Sequence, residues 1–223
     1  MKRIVLCFGG TWNTPADESA GVDDGVETNV RRCFRSVEGR GADGISQEAR
    51  CNEGVGTEAP NELAGGAFGA GLDSHILEGY RHLVETYEEG DKDYDIAQWS
   101  PLETPRQVLE QRGFCGAHAD VGGGHADRSL SDLSLRWMQD RAAEAGLGLS
   151  PVPLGPYNFR GTLTDSFAVF LNGLYQGVRP AYFRPVVRTE FGNEVLDPTI
   201  ELRRRDATRA YRPENEGLPT LSA

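Results

Sequence analysis

The sequence predicts an α/β fold: a sheet of few strands flanked by helices. Two observations carry this. Short apolar runs end at glycine turns, as buried parallel strands do, and segments of helical periodicity alternate with them. Only two or three runs read as convincing strands, fewer than such sheets usually hold.

Ile4 to Phe8 is a continuous apolar run that closes at Gly9 and Gly10, the pattern of a buried strand. Gly10, Thr11, Trp12 and Asn13 then form a loop at its C-terminal end, the edge where open α/β sheets bind ligands. Backbone N–H groups there, with the Thr11 or Asn13 side chain, can build an oxyanion hole. The plainer alternative is a tight turn with Trp12 packed on the core. Residues 17–27 are acidic and read as loop. Thr28-Asn29 suits a helix start, and Val30, Cys33, Phe34 and Val37 follow on one face. Gly39 and Gly41 should stop this helix.

Gly54-Val-Gly-Thr57 is a second strand-end turn. Asp73-Ser74 caps a helix whose stripe is Ile76, Leu77, Tyr80, Leu83, Val84 and Tyr87, with Gly90 at its end. Residues 91–105 show no periodicity. Residues 108–117 hold a short strand that runs into a glycine loop bearing His118. Ser131 is the expected cap of a further helix, with Leu133, Trp137, Met138, Ala142 and Ala145 on one face and Gly146 after it. Phe167, Phe170, Leu171 and Leu174 suggest one more. From Tyr175 onward β-prone residues mix with prolines and arginines, and no strand order emerges.

A chain of 223 residues suits one domain, or one with a small appendage. Its net charge of −11 argues against nucleic acid or an anionic membrane as a general partner. The basic run Arg203-Arg204-Arg205 reads as a solvated strand end or tail. Cys7, Cys33, Cys51 and Cys115 form no C-x-x-C pair, which speaks against a zinc or thioredoxin-type motif and for reduced thiols. The N-terminus starts basic, but its apolar run is too short for a signal peptide. No run approaches the roughly 18–20 apolar residues of a membrane span. The expected location is the cytoplasm, or outside it by a secretion system that needs no signal peptide.

The segment Phe114-Cys-Gly-Ala-His118-Ala-Asp120-Val-Gly-Gly-Gly124 carries the chemistry. A histidine before a flexible turn can act as general base to a hydroxyl. It can equally be a packed loop histidine, with Asp120 capping a turn. Gly122, Gly123 and Gly124 let the backbone approach another group closely. His118, Asp120 and His125, with Asp127 nearby, could contribute metal ligands. Nothing else completes a set, so neither metal nor cofactor is expected. The nucleophile is the gap. A G-x-S-x-G turn is absent: Ser46 follows Gly44 by two residues, but Glu48 stands where the second glycine should be. Cys115 is the one thiol substitute, and on a strand it would point away from His118.

Several motifs in order give a resemblance: Arg3 to Pro15, Thr28-Asn-Val-Arg31, Gly54 to Thr57, Gly65 to Asp73, and Tyr80 to Asp91. Phe114 to Gly124, Ser131-Asp132 to Met138, and Tyr211 to Asn215 continue it. Together they resemble the uncharacterised α/β-hydrolase domain family that includes the type VI secretion phospholipase effectors. The resemblance implies a reduced α/β-hydrolase-like sheet and a serine-histidine-aspartate hydrolase of esters, with lipid or ester as substrate and His118 last in the triad.

The departures are as informative. The family's serine elbow, its strand and the segment of the triad aspartate have no counterpart between Asp91 and Trp99. The join falls near residues 92–95. The aspartate expected before G-T-W-N is Gly9, and the aromatic expected before Phe114 is Gly113. His118 is therefore expected as the remnant of a triad. Residues 1–150 are expected to form the shortened core, and 151–223 a C-terminal extension packed on it. Three readings follow: a shortened hydrolase-family domain without turnover, a non-catalytic module binding lipid or a protein partner, and a hydrolase using Cys115 or a metal with His118.

Overall fold

The computed structural model of the chain describes residues 2–9, 27–52, 92–93, 108, 110–155, 158–165, 186, 193–215 and 217–220. The expected loop of Gly10 to Asn13, the turn of Gly54 to Thr57 and the helices over 74–90 and 167–174 lie outside the described residues.

Strand β1 (Lys2–Phe8) is the apolar run near the N-terminus. It pairs in parallel with β2 (Ser46–Asn52) along its whole length, from Lys2 opposite Ser46 to Phe8 opposite Asn52. On its other side it pairs in parallel with the two-residue β3 (Lys92–Asp93). The sheet order is thus β2-β1-β3, with β1 central. A second sheet pairs β4 (Glu110–Gly113) with β5 (Asn193–Leu196), again parallel. All described pairings between named strands are parallel, in keeping with an α/β arrangement of small extent.

Helix α1 (Asn29–Ser36) connects β1 to β2 and packs on both. Thr28 is its N-cap and accepts from the Arg31 amide at 3.4 Å. The apolar stripe expected for this helix is not its buried face. Asn29, Arg32 and Ser36 are buried instead, while Val30, Cys33 and Phe34 are half-buried. The reason is polar. Asn29 Nδ2 donates to the carbonyls of Val121 at 3.0 Å and Ser131 at 2.6 Å. Arg32 donates to Asp132 at 2.5 Å and to the Pro153 carbonyl at 2.8 Å. Buried charges persist only when paired and hydrogen-bonded, and here both conditions hold.

The short helix α2 (His118–Gly122) leads through a turn into α3 (Ser131–Glu144). Ser131 is the first residue of α3 rather than its cap, because Leu130 holds the N-cap position. The stripe expected on α3 is also displaced. Ser131, Asp132 and Leu135 are buried, and Met138 is 48% exposed. Gly146 ends the helix as expected, at φ +90°, where a left-handed conformation favours glycine. Its amide donates to the Ala143 carbonyl and the Leu147 amide to the Ala142 carbonyl, the paired bonds of a Schellman cap.

Helix α4 (Pro198–Arg205) follows β5, with Asp197 as N-cap and proline at its first position. The basic run in its last turn is not a solvated tail. Arg203 is buried and donates to the carbonyls of Phe159 and Gly161, with its guanidinium over the Tyr211 ring. Arg204 reaches the Pro219 carbonyl at 2.7 Å, and Arg205 pairs with Glu201. Cys115, Leu130 and Ile200 form the buried core here, with Leu133, Leu163, Leu196, Tyr211 and Leu218 against it. No helix among the described residues is long and apolar enough to cross a membrane.

Candidate active site and its remnants

The start of the predicted substrate loop is fixed by the sheet. Beyond β1, the Gly9 amide donates to the Asn52 carbonyl at 2.9 Å. This extends the β1–β2 ladder by one bond and holds the chain at the sheet's C-terminal edge just before Gly10.

The histidine segment begins at β4. Gly113, where the family pattern expects an aromatic, lies against Leu196 of β5. A Cβ at Gly113 would sit 3.0 Å from the Leu196 Cδ2, so a larger residue there would require the Leu196 side chain to shift. After β4 the chain is irregular over 114–117, and His118 opens α2. His118 therefore stands at a helix start rather than in a flexible loop. Its side chain is exposed. Among the described residues no hydroxyl, thiol or carboxylate hydrogen-bonds its ring.

Asp120 is buried and committed elsewhere. One oxygen accepts from the amides of Ala117 and Thr164, both at 2.9 Å. The other lies 3.8 Å from Nε2 of His125, not of His118. Gly116 makes room for it: φ is +125°, and a Cβ there would lie 2.5 Å from the Asp120 Cβ. Asp120 thus closes the turn into α2 and ties it to the irregular stretch around Thr164. His125 meets the Thr164 hydroxyl at 3.3 Å. That contact had no signal in the sequence, since Thr164 lies 39 residues further on and in no motif.

The glycines after α2 divide the task. Gly123, at φ +80°, lies against the start of α1. A Cβ on it would sit 2.8 Å from the Asn29 nitrogen, and Gly123 bridges Thr28. The close approach read from the glycine run is therefore to the chain's own helix. Gly124, at φ +110°, and Gly122 have open space around them. Asp127 accepts from the amides of Ser129 at 3.0 Å and Thr162 at 3.1 Å. Hydrogen bonding by the Ser129 side chain, and then by these two amides, holds its carboxyl down at about 2. Among the described residues no cluster of three or more His, Cys, Asp or Glu side chains could hold a metal ion.

Cys115 is 3% exposed and belongs to the core with Leu130 and Ile200. Burial raises its thiol, and Arg203 offsets part of this. Such a thiol carries little thiolate at neutral pH.

Comparison with known families decides the kinship. The family model for the type VI secretion system (T6SS) phospholipase effector Tle1-like catalytic domain matches residues 2–97 and 93–141. The chain belongs to this family. No curated protein and no solved structure matches. The two matched stretches of the effector family meet at residues 93–97, at or just after β3. They include β1, α1, β2, α2 and all but the last turn of α3. Thr28 and Gly123, Asn29 and Ser131, and Arg32 and Asp132 are thus bonded pairs at family-matched positions.

Proposed function

We propose that this chain is an internally shortened, α/β-hydrolase-like catalytic domain of the phospholipase effector family, with lipid or ester as its substrate class and no hydrolytic turnover. The observation that carries the reading is His118. The resemblance makes it the counterpart of the catalytic histidine, yet it is exposed and has no hydroxyl or carboxylate on its ring among the described residues. A general base needs a nucleophile within hydrogen-bond reach, directly or through one water.

Three features support the same reading. The two matched stretches overlap at 93–97, at and directly after the described residues of β3 that pair with β1. A join there is what loss of the elbow strand and its serine would leave. Asp120 is engaged by two backbone amides and faces His125, so it is not the acid behind His118. Burial of Cys115 counts against a thiol nucleophile. In serine hydrolases, losing the nucleophile costs on the order of a millionfold in turnover. Family membership supports delivery by a type VI secretion system. Binding of lipid or a protein partner without catalysis is compatible with this reading.

The test is release of fatty acid from phosphatidylethanolamine–phosphatidylglycerol vesicles by the wild-type chain and by His118→Ala. Both should match the protein-free blank. Turnover that His118→Ala abolishes would overturn the proposal.

A further inference from the structure

Cys7 of β1 and Cys51 of β2 are direct register partners in a parallel ladder. Neighbouring strands lie roughly 4.7–4.9 Å apart. A disulfide bridges Cα atoms about 4.4–6.8 Å apart, so this pair needs only a small local adjustment. Side chains of paired residues in a parallel ladder project to the same face, so the two sulfurs share one side of the sheet. Both residues are half-buried free thiols in this structure. We propose that Cys7 and Cys51 form a redox modification site, closing to a cross-strand disulfide when a disulfide oxidant is present.

The position gives the bond a consequence. Each cysteine is one residue from the end of its strand, and the Gly9 amide bonds Asn52 just beyond. The cross-link would clamp the C-terminal ends of β1 and β2 to each other.

The third thiol, Cys33, lies on α1, which packs over both strands. Its charge and that of Cys51 both act on Cys7, after burial, to push the Cys7 thiol up to about 12. Cys51 is also raised by burial, but the Arg31 guanidinium offsets part of this. Cys51 is therefore the better attacking thiol, since reaction runs through the thiolate. Its thiolate attacks oxidised glutathione, forms a mixed disulfide and releases one glutathione thiolate. Cys7, on losing its proton, displaces the second glutathione. Two protein thiols are oxidised by two electrons, and one glutathione disulfide is reduced to two thiols.

Trypsin places the four cysteines on separate peptides, spanning 4–31, 33–35, 51–81 and 113–128. The folded wild-type chain is incubated with oxidised glutathione, its remaining thiols are alkylated, and the peptides are mapped by mass spectrometry. The expected result is loss of two of the four free thiols and a link between 4–31 and 51–81. Cys33→Ser, which leaves both strands intact, should keep that link. Four alkylated thiols, glutathione adducts without a link, a link through 33–35, or loss of the link in Cys33→Ser would each overturn the proposal.

Discussion

Asp132 has no solvent exposure, and each of its oxygens has a partner. One takes Arg32 at 2.5 Å and the other the Gly155 amide at 2.6 Å. Removing one side of a buried pair leaves the other charge stranded, which costs about 3–5 kcal/mol. Asp132→Ala should therefore lower the unfolding free energy by that order in urea denaturation. A loss below about 1 kcal/mol, the range of exposed ion pairs, would show that the pair is solvated. Asp127 gives a pH signature. Its folded pKa lies at about 2, below its ordinary 3.8, so it stabilises the fold fully above about pH 4. That contribution is lost as pH falls through about 2. Asp127→Asn should lower the urea midpoint at neutral pH, and the gap from wild type should close in acid. A gap independent of pH would assign the effect to something other than the charge. Asp132 stands in a family motif and Asp127 just beyond the histidine segment, but the pattern does not announce these partners. Arg32, Gly155 and Thr162 are far from them along the chain, and long-range polar pairing leaves no periodicity to read.

The elements were legible where local chemistry decides them. β1 is a continuous apolar run, Thr28 is a capping residue, and Gly146 sits at a helix end. β2 was not legible, because Ser46 to Asn52 has charged and amide residues at most positions and no apolar alternation. Pairing with β1 makes it a strand. The same override moved the buried face of α1 from its apolar stripe to Asn29, Arg32 and Ser36. The cap of α3 offers a test at this scale. Gly146 holds φ +90°, and a Cβ there would meet the Arg3 guanidinium at 2.6 Å. Arg3 is itself buried and bound to Asp43 by two bonds, so it has little room to give. Gly146→Ala should destabilise the chain by more than about 1 kcal/mol, read as a lower Tm. An unchanged Tm would mean that the cap and Arg3 both relax freely.

Across the whole molecule, the family-matched residues split into those that build and those that would react. Thr28, Asn29, Gly123, Ser131 and Asp132 hold α1, α2 and α3 together through bonds that need no substrate. His118 stands apart from that framework, exposed at the start of α2. The kinship was legible in the order of the motifs. What became of the histidine segment was not, because Asp120 turns to His125 and Thr164 through contacts spread along the chain. The framework can persist without the chemistry, since structural and catalytic residues are supported by different partners. Phospholipid hydrolysis measured side by side for wild type and His118→Ala tests this separation most directly. The account predicts two traces that coincide with the vesicle blank. Wild-type hydrolysis that disappears in His118→Ala would contradict it.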